Sequence, residues 1–353
     1  MNAVRILTAG LAFQFAFAAS AFPQNSTTFK LDGIFVSDAG PRNAHSMAYD
    51  PEKKRVLLFG GADHEKVLSD LYYLTEDSLV RIEAAGPSPR TFATFVYAGP
   101  GQGVLLFGGN RVLFGSEVNP AKMLGDTWIF KNGKWKRVNT SKEPEARAEA
   151  AAAYDPIRKR VILFGGYKLN NGSIERLGDT WEHKNGRWRK IADSGPSPGN
   201  GSAIAYDPLR KSIVLFGGPT TESARGPATG ETWILRGDKW QKLHTTQPPN
   251  LFNPAMATGF GPNGLVRFGG WTGTGRTNET WALRENGWMR IGGGDPPPAR
   301  NHTAMVFDEA NRRLVLYGGH DGEHIFGDLW TFGPEGWSLV SASFLPKRID
   351  NGH

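Results

Sequence analysis

The sequence predicts an all-β chain in which six units of four antiparallel strands stand side by side as the blades of a ring. Three observations carry that prediction. An apolar run closed by Gly-Gly occurs six times, as RVLLFGG, GVLLFGG, RVILFGG, SIVLFGG, GLVRFGG and RLVLYGG, with its first glycine at Gly60, Gly108, Gly165, Gly217, Gly269 and Gly318. The spacings of 48, 57, 52, 52 and 49 residues mark a repeated unit that cannot bury its own faces alone and must stack. An acid-led aromatic segment follows each run, from Asp70, Asp126, Asp179, Glu231, Glu279 and Asp328, and five units carry two tryptophans seven residues apart.

Within a unit the elements follow in order. A first strand such as HSMAYDP, His45 to Pro51, ends in Asp-Pro, where the proline presets φ and the carboxylate caps the local backbone. The apolar run is then a second strand, too short for a buried helix and suited to cover on both faces. Its glycines permit positive φ or close approach. A variable loop leads to the acid-led third strand. A tight turn such as Lys131-Asn132-Gly133 leads to the fourth, Asn-Gly being a two-residue hairpin signal. The pairs Trp128 and Trp135, Trp181 and Trp188, Trp233 and Trp240, Trp281 and Trp288, and Trp330 and Trp337 fall on one face of that hairpin, opposite or diagonal. The first unit has Tyr72 and Leu79 instead. A ring hides most of the exposed strand edges.

With 353 residues and 39% hydrophobic content, the chain can bury a large core as one repeated body. Its lack of cysteine excludes disulfides, thiolate metal sites and cysteine nucleophiles. Arg5, the apolar run Ile6 to Ala18 and Ala19-Ser20-Ala21 read as a signal peptide over 1–21, cleaved before Phe22, its core too short to span a bilayer. Removing Arg5 lowers the formal charge from +7 to +6. A link and additional strand over 22–36 should sit on the last blade beside Trp337 to Val340, followed by the propeller at 37–341 and a tail at 342–353. The turns on one face hold seventeen cations against eleven acids, which makes that face basic, and nucleic acid is not expected for an exported chain.

Gly-Gly after an apolar strand, an aromatic on the next, a tryptophan soon after and Arg-x-x-His from Arg42 to His45 together resemble the kelch family, over roughly residues 37–341. The first unit departs by lacking tryptophan, the fifth by Arg267 inside the apolar strand and Asn253-Pro254 at its head. The resemblance implies a six-bladed kelch-type β-propeller. Copper radical oxidases similar to galactose oxidase share that fold but need a cysteine, so their cofactor is excluded and none is expected. A periplasmic sialic-acid mutarotase also shares it, though no motif specific to that enzyme is present.

One strand-initial acid per unit argues for a structural carboxylate that holds the preceding Gly-rich loop, and the paired tryptophans for blade packing. Trp271 stands outside the pairing, directly after Gly269-Gly270. His45, His64, His302, His320 and His324 fall on one face, in the sixth and first units that meet when the ring closes; loop spacing such as His320 to His324 is a poor metal signal, so no metal is expected. Seven residues before the aromatic that ends each first strand stand Arg42, Arg90, Arg147, Gly199, Asn253 and Arg300. On the innermost strands these guanidinium groups should ring the channel mouth beside Asn301 and the histidines and select an anionic ligand. The expected function is an exported, monomeric binding module, secreted or periplasmic, for a protein or acidic glycan, without catalytic residues. The alternative is a sugar mutarotase, epimerase or lyase in the mouth.

Overall fold

The computed structural model describes residues 39–113, 119, 122–170, 173–219, 227–246 and 248–342, with the backbone of 30–31, 34–35 and 347–348. Residues 1–21, read above as a signal peptide, and most of the 342–353 tail lie outside the described residues. Six four-stranded antiparallel sheets follow one another in the chain. The first strands are Ser46–Asp50, Thr94–Tyr97, Ala151–Asp155, Ala203–Asp207, Ala255–Thr258 and Ala304–Asp308. Each packs on the next, and Ala304–Asp308 packs on Ser46–Asp50 to close the ring. The apolar runs form the second strands, fully buried from Val104 to Phe107 and from Ile213 to Phe216.

The core lies between blades, not within them. One cluster joins Val266 and Phe268 of the fifth blade to Leu314, Leu316 and Trp337 of the sixth; another joins Val315 and Leu329 of the sixth to Val56, Leu58 and Leu79 of the first. The tryptophans are diagonal in their hairpins, Trp181 facing Lys190 while Trp188 faces His183. They have separate duties. The third-strand indole donates to the acid two residues before it, as Trp128 Nε1 does to Asp126 at 2.6 Å and Trp233 Nε1 to Glu231 at 3.0 Å. The fourth-strand indole reaches back one blade: Trp188, Trp240, Trp288 and Trp337 donate to the hydroxyls of Thr127, Thr180, Thr232 and Thr280 at 2.8–3.0 Å. Where Leu79 replaces the indole, the preceding blade offers Leu329 and the contact is apolar.

The Gly-Gly pair is set by close approach. A Cβ on Gly60 would stand 2.8 Å from the Arg90 carbonyl oxygen, and one on Gly61 2.6 Å from that of Asn43, with φ positive at both. The second glycine's N–H donates to the residue heading the next blade, Gly61 to Arg90, Gly109 to Arg147, Gly166 to Gly199, Gly218 to Leu251, Gly270 to Arg300 and Gly319 to Arg42, at 2.8–3.1 Å. This sequence corrects the repeat register in the fifth blade. Its first strand ends early, at Thr258, so the residue equivalent to the arginines is Leu251, not Asn253.

Two short strands, Lys30–Leu31 and Ile34–Phe35, extend the sixth blade outward, with Phe35 pairing parallel to Ser341. That is the blade expected from the sequence, one residue beyond the expected stretch. Among the described residues no helix is long and apolar enough to cross a membrane.

Candidate functional site

Arg42, Arg90, Arg147 and Arg300 each stand four residues before a first strand, and their side chains turn away from the channel. All four are at most 1% exposed. Each guanidinium runs outward through its own blade, donating to the first glycine's carbonyl at 3.0–3.1 Å and to the third-strand acid: Asp70, Asp126, Asp179 and Asp328 at 2.6–2.8 Å. Burial alone would raise the Asp126 and Asp179 carboxyls, but the hydrogen bonds and charge of Arg90 and Arg147 hold them below the usual carboxylate range. The expected ring of ligand-binding arginines is therefore a set of buried ion pairs. The acids, expected to hold the Gly-rich backbone, bind guanidinium and indole instead, and the arginine holds the glycine.

Two residues after each of these positions the backbone is left-handed. Ala44, Phe92, Glu149, Gly201, Asn253 and His302 have φ of 52, 54, 57, 67, 49 and 50°. Their amides link neighbouring blades around the channel: the Ala44 N–H donates to His302 O, Phe92 to Ala44, Glu149 to Phe92 and Asn253 to Gly201, at 2.8–3.0 Å. These residues, with Ser46, Ser202 and Thr303, line a central cavity of about 160 Å³. Glycine satisfies the turn at Gly201, so the other five carry side chains there despite a left-handed cost of roughly 1 kcal/mol each.

Four of those side chains meet across the cavity. Phe92 lies edge-on to His302 with ring centroids 5.1 Å apart. His302 Nε2 is 2.7 Å from the Asn253 amide nitrogen and 3.5 Å from Glu149 Oε1, and its Nδ1 is 2.9 Å from His320 Nε2. The chain continues outward on both sides. Arg276 stacks on Trp271 at 5.0 Å, donates to Asn301 Oδ1 at 2.8 Å and reaches His320 Nδ1 at 3.5 Å. Arg176 donates to Asn200 Oδ1 at 2.6 Å, and the Asn200 amide donates to the other oxygen of Glu149. With the Asn253 amide donating to Nε2, His302 donates from Nδ1 to His320. Burial, with His302 and Arg276 adding to it, pushes His320 down to about 2, so its ring is neutral. Burial also lowers Arg176 and Arg276.

Of the residues expected from the sequence, Trp271, Asn301, His302 and His320 come together here. His45 lines the same cavity from beneath, edge-on to Tyr317 at 5.7 Å. Burial and then the charge of Arg42 push it down to about 3. His64 lines a separate hollow with Pro41, Asp63 and Lys66, and His324 pairs with Asp321 at 3.2 Å on the outer loop; neither reaches the mouth. Sequence reasoning missed Phe92, Glu149, Asn200, Arg176 and Arg276 and misread Asn253 as an arginine equivalent. The signal was present two residues past each arginine, where the repeat stops repeating. No group of three or more metal-ligating side chains that could hold an ion occurs among the described residues.

Six blades around a narrow polar mouth, with the unlike side chains on loop heads and not in the repeat, define a six-bladed β-propeller. Residues 34–198 and 156–343 match the family described as the KLHDC2/KLHL20/DRC7 Kelch-repeats domain, and the chain belongs to that kelch-repeat family. It is 24% identical over 265 residues to rat host cell factor 1, covering 66% of this chain and 12% of that protein. It is 27% identical over 222 residues to human multiple epidermal growth factor-like domains protein 8, covering 55% and 7%, and 29% identical over 119 residues to tRNA wybutosine-synthesizing protein 4 of Aspergillus fumigatus, covering 32% and 11%. The chain thus spans a small fraction of the length of these relatives.

Proposed function

We propose that this chain is an exported, monomeric interaction module that holds a ligand, a segment of a protein or a glycan, in the mouth ringed by Phe92, Glu149, Asn253 and His302. One observation carries the reading: side chains of unlike chemistry occupy left-handed positions that glycine fills without strain at Gly201. Residues kept against their backbone preference, facing a cavity, are selected for contact. An acidic group on the ligand would meet Arg276, whose guanidinium is presented on the Trp271 ring and whose desolvation an anion would offset. The test is a thermal-shift screen of the full chain against peptide and acidic-sugar panels, repeated with Phe92→Gly and Arg276→Gln. Ligands that raise the melting temperature of the wild type but of neither variant support the mouth; ligands that act equally on all three place the site elsewhere.

A second reading, a sugar mutarotase, epimerase or lyase, is favoured by the chain of Glu149, His302 and His320 at the mouth, a carboxylate and imidazoles of the kind that exchange protons with a bound sugar. Anomerically pure sialic and uronic sugars followed by NMR separate the two. Accelerated equilibration that disappears in His302→Ala selects the enzyme, and background rates select the binder.

A further inference from the structure

The opposite face of the ring carries a surface that the mouth does not explain. Its turns between first and second strands read Asp-Pro-Ile-Arg-Lys in the third blade and Asp-Pro-Leu-Arg-Lys in the fourth. Asp155 accepts from the amides of Ile157 at 3.1 Å and Arg158 at 3.0 Å, and Asp207 from that of Leu209 at 2.9 Å. Lys159 and Lys211 close the turns with φ of 52 and 50°. Both aspartates are consumed inside the turn, buried and bridged to Arg158 and Arg210. The tip side chains are left in water: Ile157 is 58% exposed and Leu209 41%. Their first strands are neighbours in the ring, so the two tips stand on adjacent blades, whereas the first blade has Glu52 at the equivalent place.

Around these tips stand Lys159, Lys184, Arg187, Lys211, Arg236 and Lys239, all exposed. Asp238 beside them is engaged by Arg160 at 2.6 Å and Arg189 at 3.3 Å. Across the ring, turns of the first, fifth and sixth blades bring Glu76, Glu285, Glu309 and Glu335 to the same face, also exposed. Exposed Lys53, Lys54 and Arg312 of the first and sixth blades are offset there by these acids and Glu52, so the net positive charge is one-sided, and it coincides with the two aliphatic tips.

We infer that this sector docks on an anionic bilayer surface, with Ile157 and Leu209 entering the headgroup layer and the six cations facing lipid phosphates. A soluble polyanion would use the cations alone. Aliphatic side chains held clear of the protein by their own turn hydrogen bonds gain only by leaving water, and the boundary between headgroups and acyl chains removes them from water while concentrating negative charge in one plane.

Co-sedimentation of the full chain with vesicles decides the matter. The chain should sediment with phosphatidylglycerol in phosphatidylcholine, stay in solution with phosphatidylcholine alone, and be released at high salt as the charges are screened. The pair Ile157→Ser and Leu209→Ser should weaken binding by roughly tenfold with an unchanged melting temperature, given the apolar area withdrawn. Lys159→Glu with Lys211→Glu should abolish it. Failure to bind phosphatidylglycerol vesicles would overturn the inference. So would binding that the serine pair leaves intact, since that is the behaviour of a polyanion contact without insertion.

Discussion

Ala44 sits at φ 52° with a methyl group that makes the left-handed turn harder and bonds to nothing. Ala44→Gly should therefore raise stability by about 0.5–1 kcal/mol in urea denaturation, an unusual sign for an Ala-to-Gly change. Arg267 gives a second inverted expectation. It is fully buried, its three nitrogens lack hydrogen-bond partners, and its guanidinium lies 4.8–5.7 Å from the rings of Phe216, Trp281 and Trp288. Burial pushes it down to about 9, with Glu279 opposing, so it remains charged at neutral pH. Cation-π contacts return about 2 kcal/mol, less than the several kcal/mol of desolvation. Arg267→Met should raise stability by about 1–3 kcal/mol, and a clear fall in melting temperature would show that the aromatic cage outweighs the desolvation. A pH dependence follows from the buried histidines. Burial lowers His183 to about 4, and His45 and His320 lie lower still, at about 3 and about 2. Between those values and the ordinary 6.5 the unfolded chain binds protons that the folded chain does not. Stability is thus full above about pH 6.5 and declines as pH falls, by up to about 1.4 kcal/mol per unit per histidine. His183→Leu, remote from the mouth, should flatten the decline measured between pH 7 and 5.

The four strands of a blade are tied by a pairing that varies coherently within this one chain. Blades headed by arginine carry aspartate at the third strand. The two headed by Gly199 and Leu251 carry Glu231 and Glu279, whose longer side chains reach Lys242 at 2.5 Å and Arg290 at 3.4 Å on the fourth strand. Lys190 occupies the same register position in the third blade, opposite Trp181. Arg147→Leu alone should cost about 2–4 kcal/mol, because it leaves the half-buried Asp179 carboxylate without its cation. Adding Asp179→Glu should recover all but roughly 1 kcal/mol by handing the carboxylate to Lys190; a double variant no better than the single would break the explanation. These elements were legible in the sequence because strands, Gly-Gly stops and acid-led segments repeat. The destination of the arginines was not. Position at the head of an inner strand does not say whether a long side chain points inward or back through its blade, and the deciding partner lies 28–36 residues away. The fifth blade misled for a different reason: a strand that ends at Thr258 shifts its aromatic marker relative to the true head residue, Leu251.

At the scale of the whole ring, closure rests on Ala304–Asp308 against Ser46–Asp50, on Gly319 N–H to Arg42 O at 2.9 Å and on Ala44 N–H to His302 O at 3.0 Å. The short N-terminal strands add an outer layer to the last blade. Deleting Ser26 to Val36 should lower the melting temperature modestly without opening the ring, and an unchanged melt would make that segment a tether. The blade count was readable from the repeat, whereas the mouth was not, since it is built where the six units differ. Scaffold and site thus separate cleanly, and a single comparison tests that separation: apo melting temperature and ligand-induced shift for Arg300→Leu and Phe92→Gly, using whichever ligand the wild type responds to. The account predicts that Arg300→Leu melts several degrees lower yet keeps its ligand shift, while Phe92→Gly melts close to the wild type and loses it. The reverse pattern, a stable Arg300→Leu that no longer responds to ligand, would return the arginines to the site and contradict the account.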